Sequence, residues 1–135
     1  MTLRPYQHGD YESITDCVEP IAYEGNFDVI EGCGAYVTAV DGNVVLGCGG
    51  VVITDDDEGE VWVRLSKRVC HKPLQLLRIL KGGFEGIKAC EIKTLRAKVQ
   101  DGFEQGTRLA KKFGFSPTGE EITINGILYR IYNYG

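Results

Sequence analysis

Lys67, Arg68 and Lys72 stand close together, with His71 among them, immediately before Pro73. The chemistry open to such a cluster is the binding of an anion. Proline suits the first position of a helix, where its missing N–H costs nothing. A helix start offers unpaired N–H groups and about half a positive charge, a ready site for phosphate. Residues 60–66, EVWVRLS, read as a buried strand feeding this basic loop, so strand, loop and helix follow in order over residues 60–80. The loop has no glycine, the residue that usually lets backbone lie against a phosphate. A solvated basic loop is the other reading of the three cations. His71 reads as a phosphate donor or as a surface residue.

Thiol and metal chemistry find less support. Cys17, Cys33, Cys48, Cys70 and Cys90 are odd in number and scattered, with no CxxC pair. His8 and His71 do not fall into metal-ligand spacing. Reduced thiols of a cytosolic protein are the plain reading. Only Cys70, beside Arg68, His71 and Lys72, has the electropositive setting that a catalytic thiolate needs.

These residues must be positioned by the elements around them. Residues 3–7 read as an edge strand that tolerates Pro5. Asp10 is the expected N-cap of a helix with Tyr11, Ile14, Cys17 and Val18 on its apolar face, ending at Pro20. Residues 21–34 fit a short helix or a loop. A hairpin follows, AYVTAV and VVLGCGGVVI joined at Asp41-Gly42-Asn43, and an acidic turn over 54–59 leads into the strand at 60–66. The helix from Pro73 carries Leu74, Leu77, Ile79, Leu80, Phe84 and Ile87 as its stripe, and Gly82-Gly83 is expected to end or bend it. Residues 93–99 form a strand with Leu95, Ala97 and Val99 inward, and residues 103–113 a helix capped by Gly114. EEITI and ILYRIYN around Asn125-Gly126 give a terminal hairpin.

The 135 residues suit a single domain, residues 1–135, of α/β (α+β) class around a mixed, mostly antiparallel sheet. No apolar run approaches the roughly 20 residues of a membrane span. The N-terminus has no apolar signal core, so a cytoplasmic location is expected. A formal charge of −4 argues against nucleic acid as the main partner.

The element order, with GCGGVVI, EVWVRLS, TRLAKKFGFSPTGE and ILYRIYN in sequence, resembles the GNAT N-acetyltransferase superfamily along nearly the whole chain. The resemblance implies a GNAT-like sheet flanked by helices and acetyl-CoA as cofactor, its pyrophosphate at the loop of residues 60–80. The residues so implied are Leu65, Ser66, Lys67, Arg68, His71, Lys72 and Leu74. Direct transfer to an amine also needs a base, for which Glu60 is the candidate, and an acid for the departing thiolate, for which Tyr129 is the candidate. Glu60 also reads as a surface carboxylate closing the acidic turn, and Tyr129 as a packing residue. The family loop runs Arg/Gln-x-x-Gly-x-Gly/Ala; Arg68 fits its first place, whereas His71 and Pro73 replace the small residues. Phe103 and Ala110 stand where the family often has an Asn and a Tyr.

The implied acceptor is a small amine or a protein amino group, and a homodimer stays open. The pattern is also similar to small GNAT-like proteins of tailed phages, which implies an alternative: a catalytically inactive assembly or interaction protein, in host cytoplasm or virion.

Overall fold

Apolar side chains at every second position bury one side of a strand. Residues 94–100 follow this rule, with Leu95 and Val99 buried and Arg96 exposed. The computed structural model describes residues 1–17, 36–55, 57–89 and 92–135. In chain order its elements are β1 (Thr2–Pro5), α1 (Asp10–Ser13), β2 (Tyr36–Asp41), β3 (Val44–Asp55), β4 (Glu58–Leu65) and a 3-10 helix (Lys67–His71). There follow α2 (Pro73–Lys88), β5 (Thr94–Gln100), α3 (Glu104–Lys112), β6 (Phe115–Ile124) and β7 (Ile127–Tyr134). The strands form one seven-stranded sheet in the order β1-β2-β3-β4-β5-β7-β6. Among the described strands, only β4 and β5 run parallel. A parallel pair needs a crossover, and α2 supplies it. The mixed, mostly antiparallel sheet matches the fold class expected from the sequence.

Strand parity divides the side chains between two faces. Val51, Leu95, Val99 and Tyr132 meet Phe84 and Ile87 of α2 and Phe115 on one face. Phe84 centres an aromatic group there, edge-on to Phe113 at 5.5 Å and to Tyr134 at 5.2 Å. Such pairs add about 1 kcal/mol each beyond area burial. On the opposite face Tyr11 and Ile14 pack with Cys48 and Trp62.

The first helix departs from expectation. It has only four residues, and its N-cap is Gly9 at φ 91°, not Asp10. Asp10 instead turns its carboxylate inward. It accepts hydrogen bonds from Arg4 at 2.8 and 2.9 Å, from Gln7 N–H at 2.8 Å and from the Thr38 hydroxyl at 2.7 Å. Burial pushes this carboxyl up, but the donors from Arg4, Thr38 and Gln7 together hold it below the usual carboxylate range. Cys17 does not continue the helix; it bridges to Ser66 as an isolated β-pair. The expectations for Val18, Pro20 and residues 21–34 lie outside the described residues.

Two further expectations change. Helix α2 runs unbroken through Gly82-Gly83. A Cβ at Gly83 would meet Val37 at 3.3 Å and one at Gly82 would meet Leu3 at 3.4 Å, so the glycines let the helix sit close on β1 and β2. Leu74, assigned to the buried stripe, is 78% exposed. At the far edge, β6 shifts register against β7 between Pro117 and Glu121. Asn125 (φ 53°) and Gly126 (φ 80°) make the left-handed turn expected of that hairpin.

Candidate active site

The site begins where a ladder stops. β4 pairs with β5 from Glu58↔Thr94 to Val61↔Ala97 and no further. Yet β4 stays on β3 as far as Leu65, and β5 stays on β7 as far as Gln100. The sheet is therefore split at its centre beyond Val61. Ser66 N–H donates to Leu46 O at 2.8 Å, which sets the alternation along β4. By that alternation the backbone groups of Val63 and Leu65 point away from β3 and into the split.

A cavity of about 750 Å³ occupies this gap, inside the size range of small-molecule sites. Val63, Leu65, Leu80, Phe103 and Leu109 line it on the α2–α3 side. Glu60, Trp62, Lys98 and Tyr129 line it from the opposite side. The cavity thus reaches both faces of the sheet through the split. Gly106 keeps α3 near β5: a Cβ there would lie 2.6 Å from the Phe103 ring and 3.1 Å from Val99.

On the α1 side, Glu60 and Lys98 form an ion pair at 3.1 Å, their side chains 28% and 32% exposed. Tyr129 is buried. Trp62 Nε1 is buried without a hydrogen-bond partner among the described residues. Arg64, on the same strand face, donates to Ile14 O at 2.6 Å and lies 4.5 Å over the Tyr11 ring. Cys48 also lines the cavity, but burial first, and the nearby Asp10 charge second, push its thiol up to about 12. It stays protonated at neutral pH and is no nucleophile.

The basic segment is not an open loop. Residues Lys67–His71 wind into a 3-10 helix with Ser66 as N-cap, its hydroxyl oxygen accepting from Arg68 N–H at 3.2 Å. Ser66 Oγ in turn donates to Asp16, 2.8 Å from each carboxylate oxygen. Lys67 N–H donates to Asp16 O at 2.9 Å, and Arg68 Nε lies 4.0 Å from the Asp16 carboxylate. Sequence reasoning did not find Asp16, because its partner is fifty residues away. Ser66 is fully engaged inside the fold, and Arg68 already faces an anion. Lys67 and Lys72 are exposed. Pro73 opens the sixteen-residue α2, so the Leu74 and Gln75 N–H groups precede the first intrahelical bond, Leu76 N–H to Lys72 O at 3.0 Å. The side chains of Cys70 and His71 lie outside what is described. No group of three metal-ligating side chains occurs among the described residues.

Ard1 from Thermoplasma volcanium has a TM-score of 0.79 to this chain at 13% identity, over 98% of this chain and 95% of its own. The ribosomal-protein-S18-alanine N-acetyltransferase from Escherichia coli has a TM-score of 0.72 at 11% identity, over 98% and 92%. A GNAT family acetyltransferase from Elizabethkingia anophelis, solved with acetyl-CoA bound, scores 0.67 at 18% identity, over 98% and 96%. The fold is the GNAT fold. No family model and no curated protein sequence matches the chain. At these identities the likeness fixes the architecture, and the chemistry has to be argued from the residues.

Within the GNAT fold, Phe103, the N-cap of α3, and Ala110 face the cavity and pack against the core, and neither side chain can donate a proton. Among the described residues, no helix is long and apolar enough to cross a membrane.

Proposed function

We propose that this chain is an acetyl-CoA-dependent N-acetyltransferase that passes the acetyl group directly to an amine. The observation that carries the reading is the cavity running through the β4–β5 split, with apolar walls on one face and Glu60 and Tyr129 on the other. Apolar walls suit the slender arm of coenzyme A, and the backbone groups of Val63 and Leu65 suit its amides or the thioester carbonyl.

For the diphosphate, the groups left after the 3-10 helix is capped are Lys67, Lys72 and the first N–H groups of α2 at Leu74 and Gln75. His71 stays with this set as its neighbour in sequence. Ser66 acts instead as the cap that holds the turn, and the largely exposed Arg68 guanidinium stays with the diphosphate set. Acetyl-CoA would supply the acetyl group as a thioester: the acceptor nitrogen forms the new C–N bond, the C–S bond breaks, and coenzyme A leaves as the thiol. Glu60 takes one proton from the acceptor ammonium, directly or through a water; Tyr129 protonates the leaving sulfur and is reprotonated by the second proton that the nitrogen sheds as the amide forms.

A second reading is favoured by one observation. Ser66, Arg68 and Asp16 close the turn on themselves, and α3 presents only apolar groups at the family's polar positions. That arrangement fits a GNAT fold kept for assembly or interaction without turnover. Isothermal titration with acetyl-CoA separates the two. Submillimolar binding that weakens in Lys67→Ala/Lys72→Ala supports the enzyme, whereas no binding at millimolar cofactor retires it in favour of the non-catalytic module.

A further inference from the structure

Glu60 and Lys98 are the charged side chains that line the cavity on the α1 side. Their neighbours in the same ladder, Glu58 and Arg96, are 3.8 Å apart and more exposed, and do not reach the cavity. Lys98 lies one step past the last β4–β5 pair, beside Trp62 in the extended register, and reaches back 3.1 Å to Glu60. Trp62 lines the same wall beside Lys98, its indole nitrogen covered and not open to the cavity.

We propose that the acceptor is a free amino acid or a close zwitterionic analogue, its carboxylate held by Lys98 beside the Trp62 ring and its amine brought to Glu60. As a statement about turnover this rests on the acetyl-transfer reading above. The ion pair is neutral as a whole and can open to admit a ligand carrying one charge of each sign. A simple cationic amine would neutralise Glu60 but leave Lys98 facing it with the same sign. A carboxylate with its amine blocked would meet Glu60 with nothing to offer. Selectivity therefore comes from repulsion as much as from attraction.

Trp62 is the only tryptophan of the chain, so its fluorescence reports the proposed subsite without any acetyl-CoA. The protein is titrated with free L-amino acids, with the corresponding decarboxylated amines and with the N-acetyl amino acids. The expected result is a saturable change in Trp62 emission for at least one amino acid, bound about tenfold or more tightly than either partner compound. Lys98→Met should abolish that preference while Lys98→Arg retains it, with both variants checked by circular dichroism. Equal response to the amine and the amino acid overturns the assignment. So does an unchanged preference in Lys98→Met, or no response to any amino acid. Calorimetry with acetyl-CoA keeps the two ideas apart. An amino-acid response without cofactor binding supports the subsite and retires acetyl transfer, whereas cofactor binding with no amino-acid response retires the subsite alone.

Discussion

The Ser66 hydroxyl lies 2.8 Å from both carboxylate oxygens of Asp16, joining the end of β4 to a residue fifty positions upstream. One small side chain thereby caps the 3-10 helix, shapes the basic turn and anchors the segment that follows α1. Ser66→Ala removes the cap bond to Arg68 N–H and strips Asp16 of a donor. A loss of about 1–2 kcal/mol is expected on the scale of helix caps, measured by urea denaturation. A midpoint unchanged from the parent protein would show that the bond is incidental.

Asp10 links β1, α1 and β2 through Arg4, Gln7 N–H and Thr38. Its folded carboxyl titrates below the unfolded value of about 3.9. Its contribution is therefore present above that pH and is lost as pH falls through the folded value. Asp10→Ala should cost about 3 kcal/mol at neutral pH, since several charge-assisted bonds go at once. It should also flatten the decline of stability below about pH 4. Thermal melts of both proteins from neutral to acid pH check this; parallel curves would contradict it.

Glu60 and Tyr129 line one cavity from two strands on opposite sides of the split. If they exchange protons as proposed, Glu60→Gln and Tyr129→Phe should each lower kcat about 100-fold or more while acetyl-CoA affinity holds. Activity within a factor of about two of the parent, an effect of only ~0.4 kcal/mol, would clear that residue of the role.

Gly106 brings α3 close to β5, where an added Cβ would lie 3.1 Å from Val99. Gly106→Ala gains about 1 kcal/mol of helix propensity, yet its Cβ forces the Phe103 ring to move, and overpacking costs about 1–3 kcal/mol. Stability should change little, whereas acetyl-CoA binding should weaken because Phe103 lines the cavity. Calorimetry and a melt on the same sample separate these effects. Unaltered affinity would place the cofactor elsewhere.

The parts of the fold legible in the sequence were those specified by neighbouring residues. Asn125-Gly126 set its own turn, Gly114 (φ 89°) capped α3, Pro73 opened α2, and the alternation of Leu95, Ala97 and Val99 named the buried face of β5. What escaped was specified at a distance. Residues 67–71 read as a loop because the bond that orders them comes from Asp16. Gly82-Gly83 looked like a break because Leu3 and Val37, against which the glycines pack, lie far away in sequence. Leu74 fitted the helical period but stands at the solvent-facing start of α2. Glu60 and Tyr129 were legible as candidates, but Lys98 and its pairing with Glu60 were not. Their meaning depends on where β4 and β5 part, and no local pattern encodes that point.

The shift of β6 between Pro117 and Glu121 has its own consequence for assembly. A bare strand edge invites a strand from another chain. Here the outer edge is interrupted at proline and glycine and then carries Glu120 and Glu121, while β1 at the far end is four residues long and closes on Pro5. Neither end offers a long, smooth template for extending the sheet. A second copy of this chain would have to meet it through helices or sheet faces, and concentrated protein should resist edge-to-edge growth.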